Sequence, residues 1–215
     1  MDWGVTGLIE VYYYIPVIHA ENASDCGLKL SDWYDREVVI DGGIKKCISA
    51  LLNPRDNYDK YNSSEYRCLK FQLLPKYCHI ADGMLYRTGL SFNGIMDLYG
   101  KSIMPIESYI FGSYRLPECL VASTVIGEDI EILDKRFDTP ILYRNSEELY
   151  LNNLIEGYKD VHEDFYDTML YFFYSSMTDL GYMIRTEDLQ TGIAVFEDIR
   201  DGRVYTVKMP DISLY

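Results

Sequence analysis

Glu118 stands at the entrance of a short apolar run, Leu116-Pro117-Glu118-Cys119-Leu120-Val121, with the β-branched Thr124, Val125 and Ile126 close behind. Such a run reads as a buried strand, and Pro117 fits at or before its first residue, where a missing N–H costs least. A carboxylate placed there is held by backbone on both sides. Its surroundings can fix it rigidly and move its pKa, which is how a carboxylate becomes a reagent. The competing reading is a strand-edge glutamate facing water, because charged residues are mostly exposed. Arg55 follows Pro54 at the end of a second apolar run. Its guanidinium suits bidentate binding of phosphate, or it pairs with Asp56 or Asp59 at the surface, where such a pair contributes little. His19, at the end of a first strand, offers a ring nitrogen to a ligand or is a satisfied structural histidine. Cys78-His79 is an adjacent Cys/His pair that no second pair completes into a zinc site, so no metal is expected.

The chain that must position these groups has 215 residues and 48% hydrophobic content, enough for a core and a globular domain with an appended lobe. No apolar run approaches the roughly 20 residues that cross a bilayer, so no membrane is expected. Met1-Asp2-Trp3-Gly4 lacks the positive segment of a secretory signal. Five cysteines form no paired motif and are odd in number, which argues against a disulfide framework and for a cytoplasmic protein. The net charge of −14 is unevenly spread: residues 1–126 hold 15 acids and 12 bases, residues 127–215 hold 19 and 8. The acidity belongs to the C-terminal part. The nearly balanced N-terminal part permits a phosphate-bearing partner without demanding one.

Glu10 to Ile18 is aromatic and β-branched and predicts a strand with Pro16 near its end. Asn22 or Ser24 then caps a short helical turn that Gly27 stops. Asp41-Gly42-Gly43 marks a turn, and Lys46 to Leu52 predicts a second strand. The Tyr-rich segment 57–64 reads as a mobile loop, Tyr66 to Leu74 as a third strand, and His79 to Gly83 as a turn before a short helix. Residues 89–99 are loop or helix; Ile130 to Leu133 is a further short strand. After Thr139-Pro140 the pattern turns helical. Ser146 caps one helix, and a second from about Asp160 presents Phe165, Met169, Phe172, Phe173 and Met177 as a packing face. Gly192 to Phe196 and Val204 to Val207 predict a closing hairpin.

Four pieces in this order carry a resemblance. They are His19-Ala20-Glu21-Asn22 with Gly27-Leu28, then Asn53-Pro54-Arg55, then Ala81-Asp82-Gly83, and last Pro117-Glu118-Cys119-Leu120-Val121. Together they resemble the DarT-type ADP-ribosyltransferases, toxins that transfer ADP-ribose from NAD to nucleobases, over about residues 10–135. The match has departures: Pro16 stands where the family usually has a histidine, and Met84 where a polar residue is expected. The resemblance implies an α/β (α+β) fold with a split central sheet and small helices over residues 1–139. An acidic helical and hairpin extension would follow over 140–215.

It also implies roles. Breaking the nicotinamide–ribose bond builds oxocarbenium character, as in glycoside hydrolysis, so the site needs a fixed negative charge near the sugar. Glu118 would supply it, and Arg55 would hold a pyrophosphate or the acceptor. His19 and Asn22 would hydrogen-bond the nicotinamide ribose or amide, with Gly27 and Leu28 completing the NAD-binding element. Tyrosines of segment 57–66 would stack on a ring or base. The acceptor would be DNA or RNA, and the acidic C-terminal region a docking surface for an antitoxin or regulator. The alternative is a non-catalytic acidic interaction or immunity-type protein on the same scaffold, whose charge suits a basic partner.

Overall fold

Residues Ile9 to Pro16 form a strand because apolar and aromatic side chains alternate along it. Ile9, Val11 and Ile15 enter one buried cluster, while Tyr12 and Tyr14 enter another on the opposite face. In the computed structural model, which describes residues 7–133 and 143–211, this is β1 (Ile9–Pro16). It is followed by α1 (Val17–Cys26), α2 (Leu30–Trp33), β2 (Arg36–Ile40), β3 (Gly43–Leu51), α3 (Tyr58–Asn62), β4 (Tyr66–Leu73) and β5 (Cys78–Asp82). Then come α4 (Gly83–Gly89), α5 (Asn93–Ser102), β6 (Met104–Pro105), β7 (Pro117–Val121), β8 (Ile130–Leu133) and α6 (Ser146–Val161). The described chain ends with α7 (Phe165–Asp179), β9 (Met183–Asp188), β10 (Ile193–Asp198) and β11 (Val204–Lys208). It divides into two compact units, Met1–Asn153 and Leu154–Tyr215. Residues 143–153 therefore fall in the first unit, and the expected boundary at 139/140 lies outside the described residues.

The first unit is a mixed α/β structure on a large antiparallel sheet, ordered β6-β5-β7-β3-β1-β4-β8, with β2 also pairing β3. β1 pairs β4 along its whole length, whereas its register with β3 is the one pair Tyr12–Leu51. The sheet is thus weakly joined between β1 and β3. Both its faces are covered around β7, all five of whose residues are buried. Cys119 and Val121 point into the main cluster with Ile48, Phe71 and Ile80, and Leu120 points the other way with Val38, Ile40, Cys47 and Tyr99.

Several elements differ from the sequence expectation. Segment 57–64 holds a helix, α3, because the Asn57 side chain accepts the Lys60 amide and caps it. His79 to Asp82 is strand rather than turn: β5 lies between β7 and β6 and is buried on both faces, so it lacks a polar alternation that would reveal it. β2 was not expected; it is the first arm of a hairpin through Asp41-Gly42, which also starts β3 at Gly43 instead of Lys46. α1 begins at Val17 straight after Pro16 rather than being capped by Asn22 or Ser24, while Gly27 ends it as expected. Asn145, not Ser146, caps α6 by accepting the Glu148 amide.

The second unit packs α7 on the antiparallel sheet β11-β10-β9. β10 and β11 form the expected hairpin, and β9 adds a third strand. Leu170, Tyr171, Tyr174 and Met177 cover Met183, Ala194, Phe196 and Val207. Of the expected packing face only Met177 belongs to this cluster. Met169, Phe172 and Phe173 lie on the outer side of α7, because the sheet takes the stripe one position round.

Candidate active site

The pairing of β2, β3 and β7 fixes which residues share a face. Arg36 lies opposite Cys47, Ser49 opposite Leu120, and Leu51 opposite Glu118. Period-2 alternation then sets Arg36, Ser49 and Glu118 on the side covered by α4 and α5. Glu118 is 5% exposed, so the water-facing reading does not hold. A buried carboxylate needs hydrogen bonds on both oxygens, and it has them. Tyr99 donates to Oε1 at 2.5 Å, while the Ser49 hydroxyl at 2.6 Å and Arg36 Nη2 at 3.0 Å donate to Oε2.

Each of these partners is itself positioned. The Arg36 guanidinium lies 3.7 Å from the ring centroid of Tyr86, which meets Tyr99 edge to face. Arg36 Nη1 donates to the Asp35 carbonyl, and its Nε is buried with no hydrogen-bond partner among the described residues. The Asp35 carboxylate accepts the Ser49 amide at 2.8 Å, tying β3 to the start of β2. Burial pushes the Asp35 carboxyl up against the pull of Arg36. Burial would lower Arg36, yet Glu118 and Asp35 outweigh it and hold the guanidinium charged. Burial first, and then the Glu118 charge, push the Tyr99 phenol far above its ordinary value. Tyr99 is therefore a donor, not a phenolate.

A pocket of about 150 Å³ opens over this cluster. Tyr12, Tyr13 and Tyr14 of β1 line one side, Ser49 and Leu51 of β3 another, and Asp35, Arg36, Lys60, Arg87 and Glu118 bring charge to it. Its walls come from the two strands that are joined by one register pair. Burial lowers the Lys60 ammonium from its ordinary value.

Asn53, Pro54 and Arg55 form a turn fixed from both ends: the Asn53 side chain accepts the Arg55 amide, and Tyr14 donates its hydroxyl to the Pro54 carbonyl at 2.8 Å. Arg55 does not pair with Asp56. The Asp56 carboxylate instead accepts both the amide and the hydroxyl of Ser146 at 2.7 Å, and burial raises it to about 6. Arg55 lines a second pocket of about 180 Å³ with Arg87, Arg115 and Glu147, and Arg87 and Leu116 line both pockets. Asp82 caps α4 by accepting the Met84 amide. Gly83 lets α4 start against the Leu116 carbonyl, which a Cβ would meet at 3.0 Å.

The NAD-binding residues implied by the resemblance are placed elsewhere. His19 and Asn22 are exposed on α1 and line neither pocket. His19 meets Trp33 edge to face, and the chain continues from Trp33 through Tyr34 to Asp35 and Arg36. Gly27 and Leu28 are buried and anchor the end of α1: Leu28 exchanges backbone hydrogen bonds with Val125, and Gly27 has φ +79° with the Val125 carbonyl 2.3 Å from any added Cβ. The structure therefore brings Glu118 together with Arg36, Ser49 and Tyr99, and sets Arg55 in the adjoining pocket. Sequence reading missed Arg36, Ser49, Tyr99 and Arg87. A base ahead of the β-branched run Val38-Val39-Ile40 was the one local signal for Arg36, and nothing local marked the other three.

Among the described residues no group of three or more His, Cys, Asp or Glu side chains is placed to hold a metal ion, and no helix is long and apolar enough to cross a membrane. Comparison with protein-family models, with curated proteins and with solved structures finds no match for the chain.

Proposed function

We propose that the chain is a mono-ADP-ribosyltransferase that moves ADP-ribose from NAD to a nucleobase of DNA or RNA, acting as a toxin or defence effector on an ADP-ribosyltransferase-type split sheet. The observation that carries this reading is Glu118: a buried carboxylate gripped by Tyr99, Ser49 and Arg36 at the base of a tyrosine-walled pocket. It is also the residue to which the resemblance assigns the catalytic glutamate's role. A preorganised negative charge of this kind stabilises an oxocarbenium-like sugar without reorganising during the reaction.

The pocket is small beside the roughly 300–1,000 Å³ that enclose a drug-sized ligand. It suits one end of the dinucleotide, the nicotinamide ribose. The rest of NAD would extend outward, with His19 and Asn22 on α1 as its candidate contacts and Gly27 and Leu28 holding that helix in place. The C1″–N bond breaks with its electron pair leaving on neutral nicotinamide. A ring or exocyclic nitrogen of the acceptor base gives its lone pair to C1″, and the proton it sheds passes to Glu118 or water. Arg36 and Ser49 keep the carboxylate oriented, and Arg55 binds phosphate oxygens beside it.

The test is transfer of label from NAD to single-stranded DNA and to RNA, offered separately, by the full chain and by Glu118→Gln. Label on one nucleic acid, reduced by on the order of 10²–10³-fold in the variant, is the expected result. An unlabelled product together with intact NAD sinks the reading.

A second reading, a non-catalytic acidic interaction or immunity-type protein that binds a basic partner, is favoured by one observation. Tyr166, Met169, Phe172, Phe173 and Leu180 are each more than 40% exposed along α7 and its C-terminal end. α7 itself carries Asp167 and Asp179 and no base. Such a face fits an amphipathic, basic partner, and NAD turnover separates the two readings.

A further inference from the structure

The second pocket is built differently from the first. Three arginines, Arg55, Arg87 and Arg115, line about 180 Å³ of space, with Asp56 and Glu147 as the acids among the lining residues. Both acids are engaged. Asp56 is taken up by the Ser146 amide and hydroxyl, and Glu147 by Arg115. Arg55 faces the Tyr61 ring at 6.0 Å, and no described carboxylate pairs with it or with Arg87. Two arginines without a described acid partner, at a pocket whose described acids are already engaged, offer the chemistry of an anion site. Their planar donor forks match the oxygens of a phosphate group.

Arg87 decides what such an anion would be. It is exposed on α4, and it lines both the arginine pocket and the Glu118 pocket, as does Leu116. Because the two pockets share Arg87 and Leu116, one phosphorylated molecule can occupy both, with its anion there and another part beside Glu118. We propose that Arg87, with Arg55, is a phosphate clamp: it holds one phosphate group of a nucleotide substrate in the arginine pocket while the reacting sugar or base lies in the Glu118 pocket. Resting on the transferase reading, this assigns the second pocket a ligand class, a phosphodiester or pyrophosphate. It makes the substrate a phosphorylated nucleotide unit rather than a free base or a protein side chain. The same phosphate chemistry has two sources, the backbone of an acceptor strand and the pyrophosphate of NAD.

The experiment measures binding of two probes to the full chain: a fluorescent single-stranded oligonucleotide by anisotropy, and NAD by calorimetry. Wild type, Arg87→Ala and Arg87→Lys are compared, each checked for unchanged thermal unfolding, which the exposure of Arg87 leads one to expect. The expected result is a tenfold or greater loss of affinity for one probe in Arg87→Ala, partly restored in Arg87→Lys, because a point charge recovers attraction but not the fork. If the oligonucleotide is the probe lost, the clamp holds the acceptor strand. The slope of log affinity against log salt then falls by about 0.7 for each phosphate contact removed. If NAD is lost, the clamp holds the pyrophosphate. Unchanged binding of both probes in Arg87→Ala, or no binding of either by wild type, overturns the proposal. Turnover is scored separately: Arg87-dependent binding without any Glu118-dependent NAD cleavage keeps the clamp and removes the transferase reading. Cleavage that ignores Arg87 does the reverse.

Discussion

Each unit buries one strand carboxylate at 5% exposure beside an arginine, Glu118 in the first and Asp198 in the second. What surrounds them is opposite in kind. The partners of Glu118 lie 82, 69 and 19 residues away in sequence, on β2, β3 and α5. Those of Asp198 are two residues away: Arg200 gives it Nε at 2.9 Å, Nη2 at 2.6 Å and its backbone amide. Asp198 is a turn device. It closes the β10–β11 connection, where the Asp198 amide also meets the Arg203 carbonyl. Arg200 remains 63% exposed on its solvent side, whereas Arg36 is 17% exposed and stacked on Tyr86. A local pair of this sort costs little to organise. A charge held by three separate elements is an expensive arrangement that stability alone does not call for, which is why Glu118 is read as functional and Asp198 as structural.

The strongest way to break this comparison is to remove the arginine from each. Arg36→Ala leaves the Glu118 carboxylate buried with two neutral donors and no cation. Removing one partner of a buried pair costs about 3–5 kcal/mol, and that loss should appear in urea unfolding of the full chain. Adding Glu118→Gln to the same variant should restore much of it, because the uncompensated charge is then gone. If Arg36→Ala unfolds at the same urea concentration as wild type, Glu118 is not dependent on its distant partners and the contrast with Asp198 collapses.

A smaller effect sharpens the comparison on the first side. Tyr99→Phe keeps the ring against Tyr86 and removes only the hydroxyl that donates to Oε1. Losing a hydrogen bond to a charged group costs about 1.5–3 kcal/mol. On the proposed transferase reading, transfer activity should fall as the carboxylate loses its orientation, with KM for NAD less affected than kcat. Equal losses in both parameters would assign Tyr99 to substrate binding instead of to positioning the carboxylate.

The same local-against-distant contrast explains what could be read in the sequence. β1, β4, β7 and the β10–β11 hairpin were legible because their apolar runs and turn residues are contiguous. Glu118 was legible because a lone acid in Pro117-Glu118-Cys119-Leu120-Val121 is conspicuous. β5 was hidden by His79 and Asp82, which look like turn residues; in fact both pair with β7, and His79 with β6 as well. α3 was hidden because five tyrosine- and asparagine-rich residues carry no helical period, and one cap side chain decides the matter. Ser49, Tyr99 and Arg87 carry no local signal at all. Only the register of β3 on β7, and the packing of α4 and α5, bring them to Glu118 and its pocket.

The smallest expected effect lies on the second side. Hydrogen bonds from the Arg200 side chain, then from its amide, hold the Asp198 carboxyl down at about 2, below the ordinary 3.8. A depressed folded value means that the contribution of Asp198 is present above the unfolded pKa and is lost as pH falls through about 2. Arg200→Ala should therefore lower stability at neutral pH by a small amount, since an exposed arginine is screened by water, and flatten the acid side of the profile, so that variant and wild type converge as pH falls from about 4 to about 2. Amide hydrogen exchange across β10 and β11 reads this change within the second unit. A loss at pH 7 comparable to that of Arg36→Ala would show that sequence distance between partners does not distinguish a structural carboxylate from a functional one. A small loss at pH 7 that disappears as pH falls to about 2 would leave that criterion standing, with Arg36 rather than Arg200 as the arginine on which a site depends.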